Sequence, residues 1–438
     1  MLYPIQNNFR NKLDISGIWD FKIDPEGIGE AAGWANGLTG SRPIAVPGSW
    51  NEQYDDLFGY LDLAWYVKKV CVPPSWKDQR VFIRVGSAVY FATVYLNGSK
   101  VCTHEGGHLP FAFEITDQIR WGEENTFAIS VENVLKPSRV PSGDMPGSEI
   151  SMFASTPKTT YDFYPFAGIH RPVVLYSVPQ TSIEDVTVVT EINGADGMVK
   201  VTVKLNAATS SQGSVELKGG DAVVKANLAF TDGVAETALA VPGARLWSDK
   251  DPYLYDLTVT TGSDQYSLKV GIRTIAVDGG KILLNGQPVK MNGFGRHEDF
   301  IASGKGLNLP LIVKDYHLMR WTGANSYRTS HYPYSEEEMQ MADREGFLII
   351  DEIPAVSLQM SDEANNPERL RMCLKQIEEM ITRDKNHSAV VMWCVANEPM
   401  PKGFNVGAMG ESDQSIEEVN SAWTRRRGAT GSRESSPA

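Results

Sequence analysis

The sequence predicts two β-sandwiches followed by part of a (β/α)8 barrel, and three features of its patterning carry that reading. From Ile15 to about Pro179, short runs of alternating polarity are punctuated by turns. A second strand-rich stretch runs from about Thr181 to Asp278. Near Lys281 the pattern changes to apolar strands alternating with helices, the signature of a parallel sheet. A chain of 438 residues accommodates about three such units.

In the first unit, Trp19-Asp20-Phe21-Lys22-Ile23, Trp65 to Val70 and Val81 to Val85 alternate with the period of half-buried strands. Ala92 to Leu96, then Asn97-Gly98, then Lys100-Val101-Cys102 predicts a hairpin with a type I′ turn. No long helix is expected there, and the size fits a jelly-roll sandwich. In the second unit, Val199 to Leu205 and Tyr255 to Thr260 are strands separated by Gly, Ser and Asp turns. About a hundred residues at that spacing suit an immunoglobulin-like sandwich.

The third unit predicts a strand over Val289 to Phe294 and a helix over 309–321. A strand over Ala324 to Arg328 and a helix over 335–345, with Met339 and Ala342 on one face, come next. Phe347 to Asp351, a helix over 366–384 and a fourth strand from Ala389 to Ala396 complete the alternation. Four βα steps make half of an eightfold barrel. The segment from about Trp423 onward, rich in Arg, Gly and Ser, has no apolar period and is expected to be disordered. The expected divisions are therefore 1–180, 181–277, 278–420 and a tail over 421–438.

A net charge of −13 argues against non-specific binding to nucleic acid or to anionic membranes. No apolar run reaches the roughly 18 residues of a membrane span. The first residues, Met1 to Asn8, carry neither a basic nor an apolar leader pattern, so the cytoplasm is expected. Cys71, Cys102, Cys373 and Cys394 are widely spaced among apolar residues and are expected as buried free thiols.

Every strand of the third unit ends in polar residues. The first ends at Arg296-His297-Glu298-Asp299, the second at Arg328 to Tyr334, the third at Asp351-Glu352 and the fourth at Asn397-Glu398. Strand ends of a barrel converge on one face, where α/β barrels keep their chemistry, so the set as a whole points to an active site. Taken singly, Asp299 and Glu336 are expected as solvated loop carboxylates. His297-Glu298 is not HExxH, and His331 has no partner ligand at helical spacing, so no metal site is expected. A packed thiol is the expected state of Cys394.

Asn325 to Pro333, and Asp384-Lys385-Asn386-His387-Ser388 leading to Asn397-Glu398, resemble the two signatures of glycoside hydrolase family 2. Within that family, Gly293 to Asp299, His331-Tyr332-Pro333-Tyr334 and Asp351 to Val356 are most similar to the β-glucuronidases. Glu105 to Phe111, Phe166 to Pro172 and Leu246-Trp247-Ser248 agree with that resemblance, which extends from residue 1 to about 400. Cys394 stands where the family usually has serine or glycine, and Glu338 where an apolar residue is common.

The resemblance implies a sugar-binding-type first domain and a retaining hydrolase of terminal β-D-glucuronides that needs no cofactor. In such enzymes one carboxyl protonates the leaving oxygen while another attacks the anomeric carbon. Glu398 matches the acid/base. Asn397 matches the residue that contacts the sugar 2-hydroxyl, and Asp162 and His331 match contacts to the glycone. Arg328 is expected to orient carboxylates beneath the site. Resembling enzymes are homotetramers, an assembly doubtful for so short a barrel.

The family's nucleophilic glutamate lies on the seventh barrel strand, and its carboxylate-reading Asn-x-Lys element lies later. Residues 276–438 number 163, whereas a whole barrel takes about 250. The expectation is therefore a chain without its nucleophile, showing little or no hydrolysis alone. Two other readings share the sequence. One is another family 2 glycosidase such as a β-galactosidase, and the other a catalytically dead carbohydrate-binding or regulatory protein.

Overall fold

The computed structural model describes residues 1–143, 159 and 161–400. The segment 401–438, with its expected tail, lies outside the described residues. The first unit packs two antiparallel sheets face to face. One runs in the order Arg42–Val46, Gly17–Ile23, Leu63–Cys71, Glu124–Glu132, Phe91–Leu96, Ser99–Glu105. The other runs Asn11–Asp14, Gly168–Val178, Arg80–Val89, Phe111–Glu114, with Gly48–Ser49 pairing beside Gly168–Val178. Alternate residues such as Trp19, Phe21, Tyr66, Val94, Ile129 and Leu175 meet between the sheets and form the core. The predicted hairpin closes through Asn97 (φ 52°) and Gly98 (φ 82°), the positive angles that a type I′ turn demands.

The second unit pairs a three-stranded sheet (Ile183–Asn193, Asp196–Leu205, Val234–Val241) with a four-stranded one. The latter runs Ala222–Phe230, Ser211–Gly219, Tyr255–Thr261, Gln265–Val270, and Val201, Val215, Leu257 and Val259 lie in the core between the two sheets.

In the third unit, four parallel strands lie side by side in chain order: Gly293–Gly295, Ser326–Arg328, Leu348–Glu352 and Val390–Cys394. Helices Leu309–Trp321, Glu336–Glu345 and Asn366–Asp384 connect them. The Asn308 side chain caps the first helix by accepting from the Leu311 N–H, and Ser335 caps the second by accepting from Glu338. Gly346 (φ 72°) ends the second helix in the left-handed conformation that glycine adopts freely. Met339 and Ala342 are both fully buried on one helix face, as their spacing predicts.

Three expectations need correction. The first barrel strand is shorter than predicted. Asn285 and Gly286, both at positive φ, turn the chain so that Gln287–Pro288 pairs back onto Lys281–Leu284, and the parallel strand begins only at Gly293. Glu336 is not solvated. It is buried against Arg84 of the first sandwich, a paired buried charge that no local pattern reveals. Cys71 ends a strand at the surface and is exposed, while Cys102 and Cys373 are buried and Cys394 is half-buried. No helix among the described residues is long and apolar enough to cross a membrane.

Candidate active site

The fourth barrel strand carries the central pair. After Cys394 the chain leaves the sheet and runs beside the segment following the third strand: Asn397 N–H donates to the Ala355 carbonyl, and Ser357 N–H donates to the Asn397 carbonyl. These backbone bonds fix Asn397, which is buried, and present Glu398, which is exposed. Glu398 sits at φ 46°, uncommon for any residue but glycine, and its carboxylate has no hydrogen-bond or ion-pair partner among the described residues. An uncommon backbone angle at an unpartnered carboxylate is a reasonable pointer to function.

Beneath this pair a single buried carboxylate organises three side chains. Glu352, at the end of the third strand, is fully inaccessible. One of its oxygens bonds His331 Nδ1 at 2.7 Å, and the other accepts from the Arg328 Nε–H. Arg328 then donates its Nη2–H to Asn397 Oδ1 at 2.7 Å. Burial alone would raise the Glu352 carboxyl, but hydrogen bonds from His331, Arg328 and Cys394 outweigh it and hold it below its ordinary value. Burial, and then the Glu352 charge, push the Cys394 thiol up to about 12, so it is a packed thiol rather than a nucleophile.

Since Glu352 occupies Nδ1, the other nitrogen of His331 is left to face Asp162, whose Oδ1 lies 3.7 Å away. Asp162 reaches in from the first sandwich and is itself exposed. The structure therefore brings Arg328, His331, Asn397 and Asp162 into one chain of contacts, with Glu398 following Asn397 at its open end.

Sequence reasoning gave no individual role to three members of this surface. Glu352 was visible only as one of several polar strand ends, and its anchoring role depends on two neighbouring strands. His297 lies with its ring 5.7 Å from that of His331 and 5.9 Å from Phe163. Lys305 is almost fully buried, its ammonium 3.8 Å from the centre of the Phe163 ring and 3.7 Å from that of Tyr332. Burial lowers Lys305 to about 8. Glycines on both sides press this lysine inward: a Cβ on Gly304 would come within 2.4 Å of Ser49 Oγ, and one on Gly306 within 2.7 Å of Gly48 Cα. Gly304-Lys305-Gly306 was the available sequence signal.

Three family models match the chain in succession. The glycosyl hydrolases family 2 sugar binding domain matches residues 12–179, the glycosyl hydrolases family 2 model 181–273, and the family 2 TIM barrel domain 275–420. The β-glucuronidase of Rattus norvegicus is 38% identical over 437 residues, covering 92% of this chain and 66% of the relative. That of Paenibacillus borealis is 38% identical over 91% of this chain and 69% of its own length. Among solved structures, a Ruminococcus gnavus β-glucuronidase in complex with D-glucuronic acid superposes with a TM-score of 0.86 at 35% identity, over 96% of this chain and 72% of that one. A β-glucuronidase from an uncultured Clostridium sp. gives 0.88 at 37% identity, over 97% and 73%. The chain thus spans about two thirds of the length of the curated relatives it matches.

Proposed function

The chain belongs to glycoside hydrolase family 2, and on that premise we propose that it acts in retaining hydrolysis of terminal β-D-glucuronides, with Glu398 as the acid/base. The observation that carries this reading is the grip of Glu352 on both His331 and Arg328, with Arg328 in turn holding Asn397. Because Asn397 Oδ1 is taken by a guanidinium donor, its amide N–H2 is left to donate to a sugar hydroxyl. Such a bond to the 2-hydroxyl strengthens as oxocarbenium character develops. Glu398, unpartnered and next in sequence, is free to protonate the departing oxygen. His331 through its outward nitrogen and Asp162 contact the glycone. Arg328 is a positioning residue.

A retaining mechanism also needs a carboxylate about 5–5.5 Å from the acid/base to attack the anomeric carbon. Glu352 is buried and committed to His331 and Arg328, and Asp162 faces His331. We therefore assign the attacking group to residues outside the described ones.

The test uses phenyl β-D-glucuronide, whose poor leaving group requires the proton, with the 438-residue chain and added azide. Azide takes the anomeric carbon as the phenol leaves with the proton from Glu398. The expected result is slow hydrolysis alone, azide-dependent release of phenol, and a loss of about 10²-fold or more in Glu398→Gln. Failure of azide to accelerate release, preference for the matching galactoside, or indifference to Glu398→Gln would each end this reading. Fast turnover without azide that persists in a chain cut after residue 400 would overturn the assignment of the attacking group.

A further inference from the structure

We propose that Asp162, His297 and His331 form a binding site for a borderline divalent transition-metal ion such as Zn2+, held by one carboxylate oxygen and two imidazole nitrogens. One ligand atom from each of the three lies within 4.8 Å of the other two. Around a tetrahedral ion with bonds of about 2.1 Å, neighbouring ligand atoms stand about 3.4 Å apart. Closing that difference asks for small side-chain rotations, and Asp162 and His297 are both exposed and able to make them.

Two independent features suit the group to a metal. His331 gives Nδ1 to the buried Glu352 carboxylate at 2.7 Å, which fixes its ring and leaves the opposite nitrogen facing Asp162. A carboxylate behind a ligating histidine is the recurrent outer support of zinc sites, and Arg328 in turn immobilises this one. His297 has no hydrogen-bond partner among the described residues, although its ring lies against Phe163 and His331. Two imidazoles and a carboxylate select zinc or its neighbours rather than magnesium or calcium.

Since Asp162 and His331 are also the proposed glycone contacts, a bound ion and a bound sugar would exclude each other. That consequence rests on the sugar-site reading, while metal binding itself does not.

The full 438-residue chain, stripped of metal, is titrated calorimetrically with Zn2+, and Co2+ is used as a coloured probe. One ion per chain is expected, with visible Co2+ absorption bands. His297→Ala and His331→Ala should each weaken binding tenfold or more, while His317→Ala, on an exposed helix face, should leave it unchanged. Should His331→Ala fail to fold, His297→Ala decides alone, because that side chain is exposed. Affinity unaltered by His297→Ala would overturn the proposal. Added D-glucuronic acid should raise the apparent Kd for Zn2+. Zinc binding that needs both histidines but ignores the sugar would uphold the metal site and sink the glycone assignment.

Discussion

The two ends of the fourth barrel strand, Val390–Cys394, make opposite use of their residues. At the end where the strand begins, Asp384 to Ser388 are all engaged. Asp384 pairs with Arg383, Lys385 with Asp185, and the Asn386 side chain bonds the backbone of Val186 and Val188. His387 bonds Asp343 at 2.6 Å, and Ser388 Oγ accepts from the Gly271 N–H at 2.8 Å. This end clasps the immunoglobulin-like unit to the barrel. At the far end, the Asn397 side chain is held by one guanidinium and the Glu398 carboxylate by nothing among the described residues. Within one sequence signature, the end before the strand serves assembly and the end after it carries the proposed chemistry, the division expected between the bottom and top of a barrel.

Four measurements would break or sharpen that contrast. Asp384→Ala removes the hydrogen-bonded partner of the buried Arg383 guanidinium and leaves Asp351 and Glu336 as partial compensation, with an expected loss of about 3 kcal/mol in urea unfolding. A loss below about 1 kcal/mol would deny this end of the strand its structural role.

The second concerns pH. Burial opposes charge on His387, but the Asp343 carboxylate, with Asp384 behind it, wins and pushes the imidazole up to about 9. A folded pKa above the ordinary 6.5 means stability fully present below pH 6.5 and lost as pH rises through 9. The expected contribution is about 2–3 kcal/mol, read as the difference between wild type and His387→Gln unfolding from pH 6 to 9.5. Parallel curves for the two proteins would contradict it.

Third, Ser388→Ala removes the acceptor of the buried Gly271 N–H and should cost about 1–3 kcal/mol. Smallest on stability, Glu398→Gln should change unfolding by less than about 0.5 kcal/mol while removing the proposed proton donor. A large destabilisation would mean that Glu398 belongs to the scaffold.

Much of this layout could be read from the sequence because its causes are local. The helices at Leu309–Trp321 and Asn366–Asp384 have prolines in their first turns, and apolar spacing sets one face of the second. The strand Leu348–Glu352 is an unbroken apolar run ending in carboxylates. What escaped depends on partners distant in sequence. Glu336 looks solvated until Arg84 of another unit covers it, and Lys305 looks like any loop lysine until Gly304 and Gly306 draw it under two rings. Asp162, His297 and His331 could not be joined by any spacing rule, since three separate segments deliver them to one point.

Gly271 also limits how this architecture could be recombined. A side chain there would meet Ser388 Oγ and the Trp247 Cβ at 2.6 Å. A chimera that borrowed its middle sandwich from a more distant protein would therefore need more than matching surfaces. It would have to bring a bare backbone at this position, together with carbonyls and amides in register for Asn386. Grafting breakpoints are better tolerated in the exposed turns of the middle sandwich than at its seam with the barrel.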